Sequence, residues 1–228
     1  MSSRSIRPLA PRESLADLAY ARIKDDILNG ILRPGESIST GDIAKRLQIS
    51  PMPVRSALTR LKAEGLVTIA PQRGVAVTPV TPEELQEFSV IRSRLEGLAA
   101  NLAASKISET HVDALGRVLR EMEQYAATDD AKKWGKANAQ FHEMVIECSE
   151  NKKLIRLLKE VRHQGMRARI VFRHVPGHMA RRNEEHEHIL QAVASKQARL
   201  AERLMRSHVL AASKELVEYV RSESGGLG

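Results

Sequence analysis

The sequence predicts a mainly α fold in two parts: three helices closed by a small β-hairpin, then an all-α run of six helices. Apolar residues recur at helical spacing through most of the chain. Aromatic residues make up only 3% of it, and Leu, Ala, Ile and Val carry most of the apolar content. That balance suits packed helices better than a large sheet. The one pair of short β-branched runs falls between Leu66 and Thr78.

At 228 residues and 42% hydrophobic content the chain can build a proper core, in two small domains or one large one, which argues against global disorder. Its formal charge of +8 attracts polyanions, of which nucleic acid is the usual one. Residues 1–78 hold 12 Lys/Arg against 7 Asp/Glu and the other 150 hold 24 against 21, so most of the basic excess lies in the first third. Cys148 is the single cysteine, which rules out an intramolecular disulfide and a cysteine-based zinc cluster. It reads as a small buried hydrophobe. No apolar run approaches the ~18 residues of a membrane span and no signal-peptide core follows Met1, so a cytoplasmic protein with no membrane partner is expected.

Residues 1–13 are expected to form a flexible arm, basic and broken by Pro8 and Pro11. A first domain spans 14–79. Its opening helix is capped by Ser14 with Asp17 as reciprocal partner, and carries Leu15, Leu18, Ala19, Ile23 and Ile27 on one apolar face. Asn29-Gly30 ends this helix, and Pro34-Gly35 makes a turn. The second helix begins at Ser39-Thr40 and turns Ile43, Ala44 and Leu47 inward. Ser50 caps the third, where Pro51 and Pro53 are tolerated because the first amides of a helix have no partner to lose. Val54, Ala57, Leu58 and Leu61 form its core stripe, and Gly65 closes it. The runs Leu66–Ala70 and Val75–Thr78, joined through Pro71, Gln72, Arg73 and Gly74, make the hairpin. These parts describe an N-terminal winged helix-turn-helix with a small β-hairpin wing. The second domain, over 80–222, is an all-α six-helix bundle with helices near 82–104, 108–126, 130–149, 152–174, 179–195 and 197–222. Asn151, Pro176-Gly177 and Lys196 mark some of its breaks, and 223–228 form a flexible tail.

A helix lying in the major groove buries one face and shows polar side chains on the other. Opposite its core stripe the third helix carries Met52, Arg55, Ser56 and Thr59 at i, i+3, i+4 and i+7. Arg55 suits a bidentate contact with guanine, and Met52 can pack on a thymine methyl. The helix start also offers free amides and a positive dipole end to phosphate. At the hairpin tip Arg73 suits a phosphate or minor-groove contact, with Gly74 allowing close backbone approach. The bland alternative, a solvated helix face, fits poorly with the turn, the hairpin and the basic excess together.

The run ILNGILRPGESISTGDIAKRLQISPMPVRSALTRLKAEGLVTIAPQRGVAV resembles the DNA-binding domain of the GntR family of bacterial regulators. The resemblance lies in the RPG turn, the S-x-x-P-V-R-x-A-L-x-R-L-x-x-E-G-L segment and a short wing with glycine at its tip. It implies DNA contacts from Ser50, Met52, Arg55, Arg73 and Gly74. Gly41 and Pro51 stand where many relatives carry arginines that contact DNA, which leaves operator sequence and affinity open.

In the second domain Trp134, Asn138, Phe141, Val145 and Cys148 share one helical stripe, with His142 leaning to the same side. His186 aligns with Arg182, Ile189, Leu190 and Val193, and His208 follows Leu204 by one turn. An oxygen donor and three imidazoles from three helices would suit a divalent transition metal, although an inward histidine is more often hydrogen-bonded core. His111, His163, His174, His178 and His188 fit no shared stripe and read as surface or loop residues. The segments IRSRLE, NAQFHEMV, EEHEHIL and RLMRSHV resemble the FCD ligand-binding domain of the FadR subfamily, in its VanR-like six-helix form. That resemblance implies zinc, nickel or a similar ion on His142, His186 and His208, with Asn138 where metal-binding members carry an acidic residue. The competing reading is that these residues hydrogen-bond an effector directly. It also implies a small organic acid as effector, for whose carboxylate Arg92 is the candidate anchor. The alternative for Arg92 is an ordinary i, i+4 ion pair with Glu96.

Together these readings predict a homodimeric DNA-binding transcription regulator, a repressor, acting on an inverted-repeat operator under a small-molecule carboxylate effector. A bound metal as the signal itself is the second reading. A metal-dependent hydrolase is the third and needs a general base, but Glu143 faces roughly 100° away from His142 around the helix. The chain is therefore not expected to be an enzyme.

Overall fold

The computed structural model describes residues 14–70, 74–79, 81–164 and 177–225. The chain divides into two compact units, the first ending at Thr78 and the second beginning at Pro79.

In the first unit, α1 (Leu15–Leu28) opens with a capping box. The Ser14 hydroxyl accepts from the Asp17 amide at 3.2 Å, and the Asp17 carboxylate accepts from the Ser14 amide at 3.1 Å. Ala19, Ile23 and Ile27 are buried, but Leu15 and Leu18 are 52% and 50% exposed, contrary to the expected face. Leu15 continues the stripe a turn past the core, and Leu18 lies roughly 100° off it. α2 (Thr40–Leu47) is capped by the Ser39 hydroxyl, which accepts from the Asp42 amide. Gln48 then takes the left-handed conformation, φ 55°, and turns the chain into α3 (Pro51–Ala63).

Ser50 holds the expected N-cap position of α3, yet its side chain makes no capping bond. The N3 residue is Pro53, which has no amide hydrogen to donate. Val54, Ala57, Leu58 and Leu61 are fully buried, and α1 packs on this face. β2 (Val67–Ala70) and β3 (Gly74–Val77) pair antiparallel with Val67 opposite Val77 and Ala70 opposite Gly74. A third strand, β1 (Ser37–Ile38), pairs with the other side of β3 and gives the order β1-β3-β2. Sequence periodicity did not suggest it, since two residues are too few to show an alternation.

The second unit contains six helices among the described residues: α4 (Pro82–Lys106), α5 (Glu109–Ala127), α6 (Ala131–Cys148), α7 (Lys152–Gln164), α8 (His178–Ala194) and α9 (Ala198–Gly225). Residues 165–174 of the expected fourth helix lie outside the described residues. Local caps set several starts: the Thr81, Ser108 and Asp130 side chains accept from the amides of Glu84, His111 and Lys133, and Asn151 accepts from Leu154. α4 and α9 run closely together, and Gly97 lets α9 approach where a side chain would not fit. A Cβ there would meet Arg206 Cγ at 2.5 Å and the Glu202 carbonyl at 3.2 Å. α6 runs through the core, with Trp134, Phe141 and Val145 buried against Leu115, Met122, Ile189 and Met205. No described helix is long and apolar enough to cross a membrane.

Candidate nucleic-acid interface and metal centre

The solvent face of α3 carries Pro51, Met52, Arg55, Ser56, Thr59 and Arg60, all exposed, with Met52 at 78%. Arg60 is held in place, its Nη1 2.6 Å from Asp17 and its guanidinium 4.0 Å from the Tyr20 ring centroid. Tyr20 and Lys24 of α1 both bond Glu64 at the end of α3, so charged contacts reinforce the apolar α1–α3 packing. The Thr59 hydroxyl donates to the Arg55 carbonyl at 3.0 Å. Gly74 is exposed and left-handed, φ 76°, at the start of β3. Arg73 lies outside the described residues.

The second constellation is built from four helices. His142 on α6, His186 on α8 and His208 on α9 are all buried, and their ring nitrogens converge. His142 Nε2 lies 3.3 Å from His186 Nε2 and 3.2 Å from His208 Nε2. The other nitrogens of two rings are claimed by carboxylates: His142 Nδ1 is 2.6 Å from Glu96 of α4, and His208 Nδ1 is 2.6 Å from Glu185 of α8. An ionised carboxylate only accepts, so each Nδ1 carries the hydrogen, and each neutral ring presents a lone pair at Nε2. Two such lone pairs 3.2 Å apart repel unless a cation lies between them. Imidazole nitrogens ~2.0–2.1 Å from a tetrahedral ion are themselves roughly 3.3 Å apart, so the spacing fits a metal.

Asn138, one turn before His142, has its Oδ1 buried without a hydrogen-bond partner, as does His186 Nδ1. Burial pushes the His142 imidazole down to about 4 despite Glu96 beside it. It holds His186 and His208 well below the usual range too, with their neighbouring imidazoles adding to the effect. All three are therefore neutral at pH 7, the form that binds metal.

Glu96 is fully buried. Burial alone would push its carboxyl up, but Arg92, His142 and Arg162 hold it well below the usual range. Arg92 Nε is 2.7 Å from Glu96 Oε1, so the pair weighed as the alternative for Arg92 is present, while its Nη2 reaches Oε2 only at 3.5 Å. Arg162 Nη1 stands 3.9 Å from the same carboxylate, and its Nη2 donates to the Ala139 carbonyl. Behind His208, Arg182 bridges Glu185 at 2.8 Å and Glu215 at 3.0 Å.

The structure thus brings together three of the residues singled out as ligands, His142, His186 and His208. Sequence reading gives no site role to Glu185, Arg162 or Glu215, places Arg182 only on the His186 stripe, and gives Glu96 only as a helical partner of Arg92. One local signal existed for Glu185, which immediately precedes His186. His178 corrects the surface assignment: it is 3% exposed at the start of α8, its ring edge-on to Trp134 at 5.2 Å. His111 and His188 are exposed, His174 lies outside the described residues, and so does the side chain of His163. Glu143 is exposed on α6.

Comparison with known proteins gives both parts a family. Residues 15–77 match the family described as bacterial regulatory proteins, gntR family, and residues 87–211 match the FCD domain. The transcription regulator YdhC of Bacillus subtilis (strain 168) is 31% identical over 195 residues, covering 84% of each chain. The transcriptional repressor RspR of Escherichia coli (strain K12) is 26% identical over 218 residues, 95% of this chain and 94% of that protein. Among solved structures, McbR/YncC of E. coli superposes with a TM-score of 0.74 at 22% identity, over 90% of this chain and 98% of that one. The chain belongs to the GntR family of bacterial regulators, a DNA-binding transcription regulator with an FCD domain after its helix-turn-helix.

Proposed function

We propose that this protein is a homodimeric repressor whose hold on an inverted-repeat operator is set by an organic acid, taken up at a metal-bearing site in the second unit. The observation that carries the reading is the convergence of three neutral Nε2 atoms, two of them backed by carboxylates. His142, His186 and His208 would hold zinc or nickel, with Asn138 Oδ1 as a neutral fourth ligand. Bound there, such an ion supplies a Lewis-acidic anchor for a carboxylate. Arg92 would pair with the acid, because Glu96 occupies only part of its guanidinium and a quarter of the side chain is open.

On the DNA side, Arg55 would read guanine, with Ser50, Met52, Ser56, Thr59, Arg73 and Gly74 completing the contacts. Two such helices, roughly 34–36 Å apart, match half-sites one turn apart. The naming of RspR as a repressor supports repression here. A second reading, metal as the signal itself, draws on Asn138: a neutral ligand leaves the full charge of the ion in place and should make it easier to exchange.

The test titrates operator binding with zinc or nickel and with small organic acids, before and after chelation. An acid effect that requires metal and vanishes in His142→Ala supports the proposal. An effect of metal alone supports the second reading, and indifference to both overturns the two together.

A further inference from the structure

The start of α3 has few backbone hydrogens left to donate. Pro51 and Pro53 remove two of the first three amide hydrogens of α3. The side chain of the capping Ser50 makes no hydrogen bond to the helix. Between the prolines stands Met52, 78% exposed, beside exposed Pro51. One turn and then two turns further along the same face come Arg55 and Thr59. Thr59 spends its hydroxyl hydrogen on the Arg55 carbonyl, which leaves its methyl group as a contact surface.

The face therefore sets apolar groups, Met52 with Pro51 and the Thr59 methyl, to either side of the Arg55 guanidinium, with Ser56 and Arg60 as its other exposed polar side chains. In the major groove the one apolar feature of the bases is the C5-methyl of thymine. We infer that Met52, with Pro51 beside it, is a specificity-determining residue that reads a thymine methyl next to the base pair contacted by Arg55, and that Thr59 offers a second methyl-reading surface on the other side. The operator half-site is then a guanine accompanied by thymine, the thymine selected by apolar contact. This rests on α3 being the helix that lies in the groove.

The experiment selects binding duplexes from a random pool with the full chain at fixed salt. Each thymine of the enriched half-site is then replaced, one at a time, by deoxyuridine, which removes only the methyl group. At one thymine the wild type should lose roughly three- to tenfold in affinity, the scale of one buried methyl-sized contact. Met52→Ala should bind the thymine duplex correspondingly less well and no longer distinguish thymine from deoxyuridine there. Thr59→Val, which keeps the methyl, should retain binding. Both side chains are exposed, so neither change should disturb the fold.

An enriched duplex indifferent to every deoxyuridine, or a Met52→Ala variant that keeps the full penalty, overturns the inference. Enrichment that survives Arg55→Ala unchanged instead sinks the placement of α3 on which it rests.

Discussion

Glu96 is the residue on which the second unit concentrates its electrostatics. It is 0% exposed, and Arg92, Arg162 and His142 all face its two oxygens. Removing one member of a buried charged set costs far more than the set is worth, because the remaining charges stay buried without a partner. Glu96→Gln keeps the shape but leaves the two guanidiniums without a counter-charge. The metal-free variant should lose about 3–5 kcal/mol in chemical denaturation. Its affinity for zinc, read by competition with a chromophoric chelator, should fall about 10–100-fold as His142 loses its orienting carboxylate. Full stability and unchanged zinc affinity would remove Glu96 from the site. The sequence shows why this residue was undervalued. Its partner Arg92 is four residues away and visible, whereas His142 is 46 positions on and meets it only when α4 and α6 pack. The three histidines were legible because each sits on an apolar helical stripe of its own.

Elements were legible where their signals are local. Ser14, Ser39, Ser108 and Asp130 each cap a helix from within three residues, so those starts could be read directly. β1 exists because β3 offers an edge to Ser37 and Ile38, and nothing within two residues announces that. The α1–α3 pair gives a test of this local chemistry. Asp17 accepts from Ser14 and pairs with Arg60, and those contacts lower its carboxyl to about 2 from 3.8. The folded state therefore binds this proton less readily than the unfolded one. Its contribution to stability is complete above pH 3.8 and is lost as pH falls toward 2. Comparing thermal melts of the wild type and Asp17→Asn across that window should show the gap between them closing with acidification. A constant gap would mean that the carboxylate's charge contributes nothing to anchoring α1 against α3.

At the scale of the whole molecule, regulation in the proposed dimer requires that the second unit favour one arrangement of the two DNA-binding units over another. Any ligand can shift such an equilibrium only by its differential affinity for the two states. Linkage then makes a prediction independent of the structural route. If zinc changes operator affinity by some factor, operator must change zinc affinity by the same factor, typically about 5–150-fold for coupled sites. Both affinities must be measured at one salt concentration, because DNA binding by the basic first unit carries a steep counterion-release dependence that zinc binding lacks. Zinc affinity is read by chelator competition with and without a saturating operator duplex, and operator affinity by fluorescence anisotropy with and without zinc. Equal factors would place the metal's action on the protein. A zinc effect on DNA binding with no operator effect on zinc affinity breaks the cycle, and the ion would then be acting on something other than this chain.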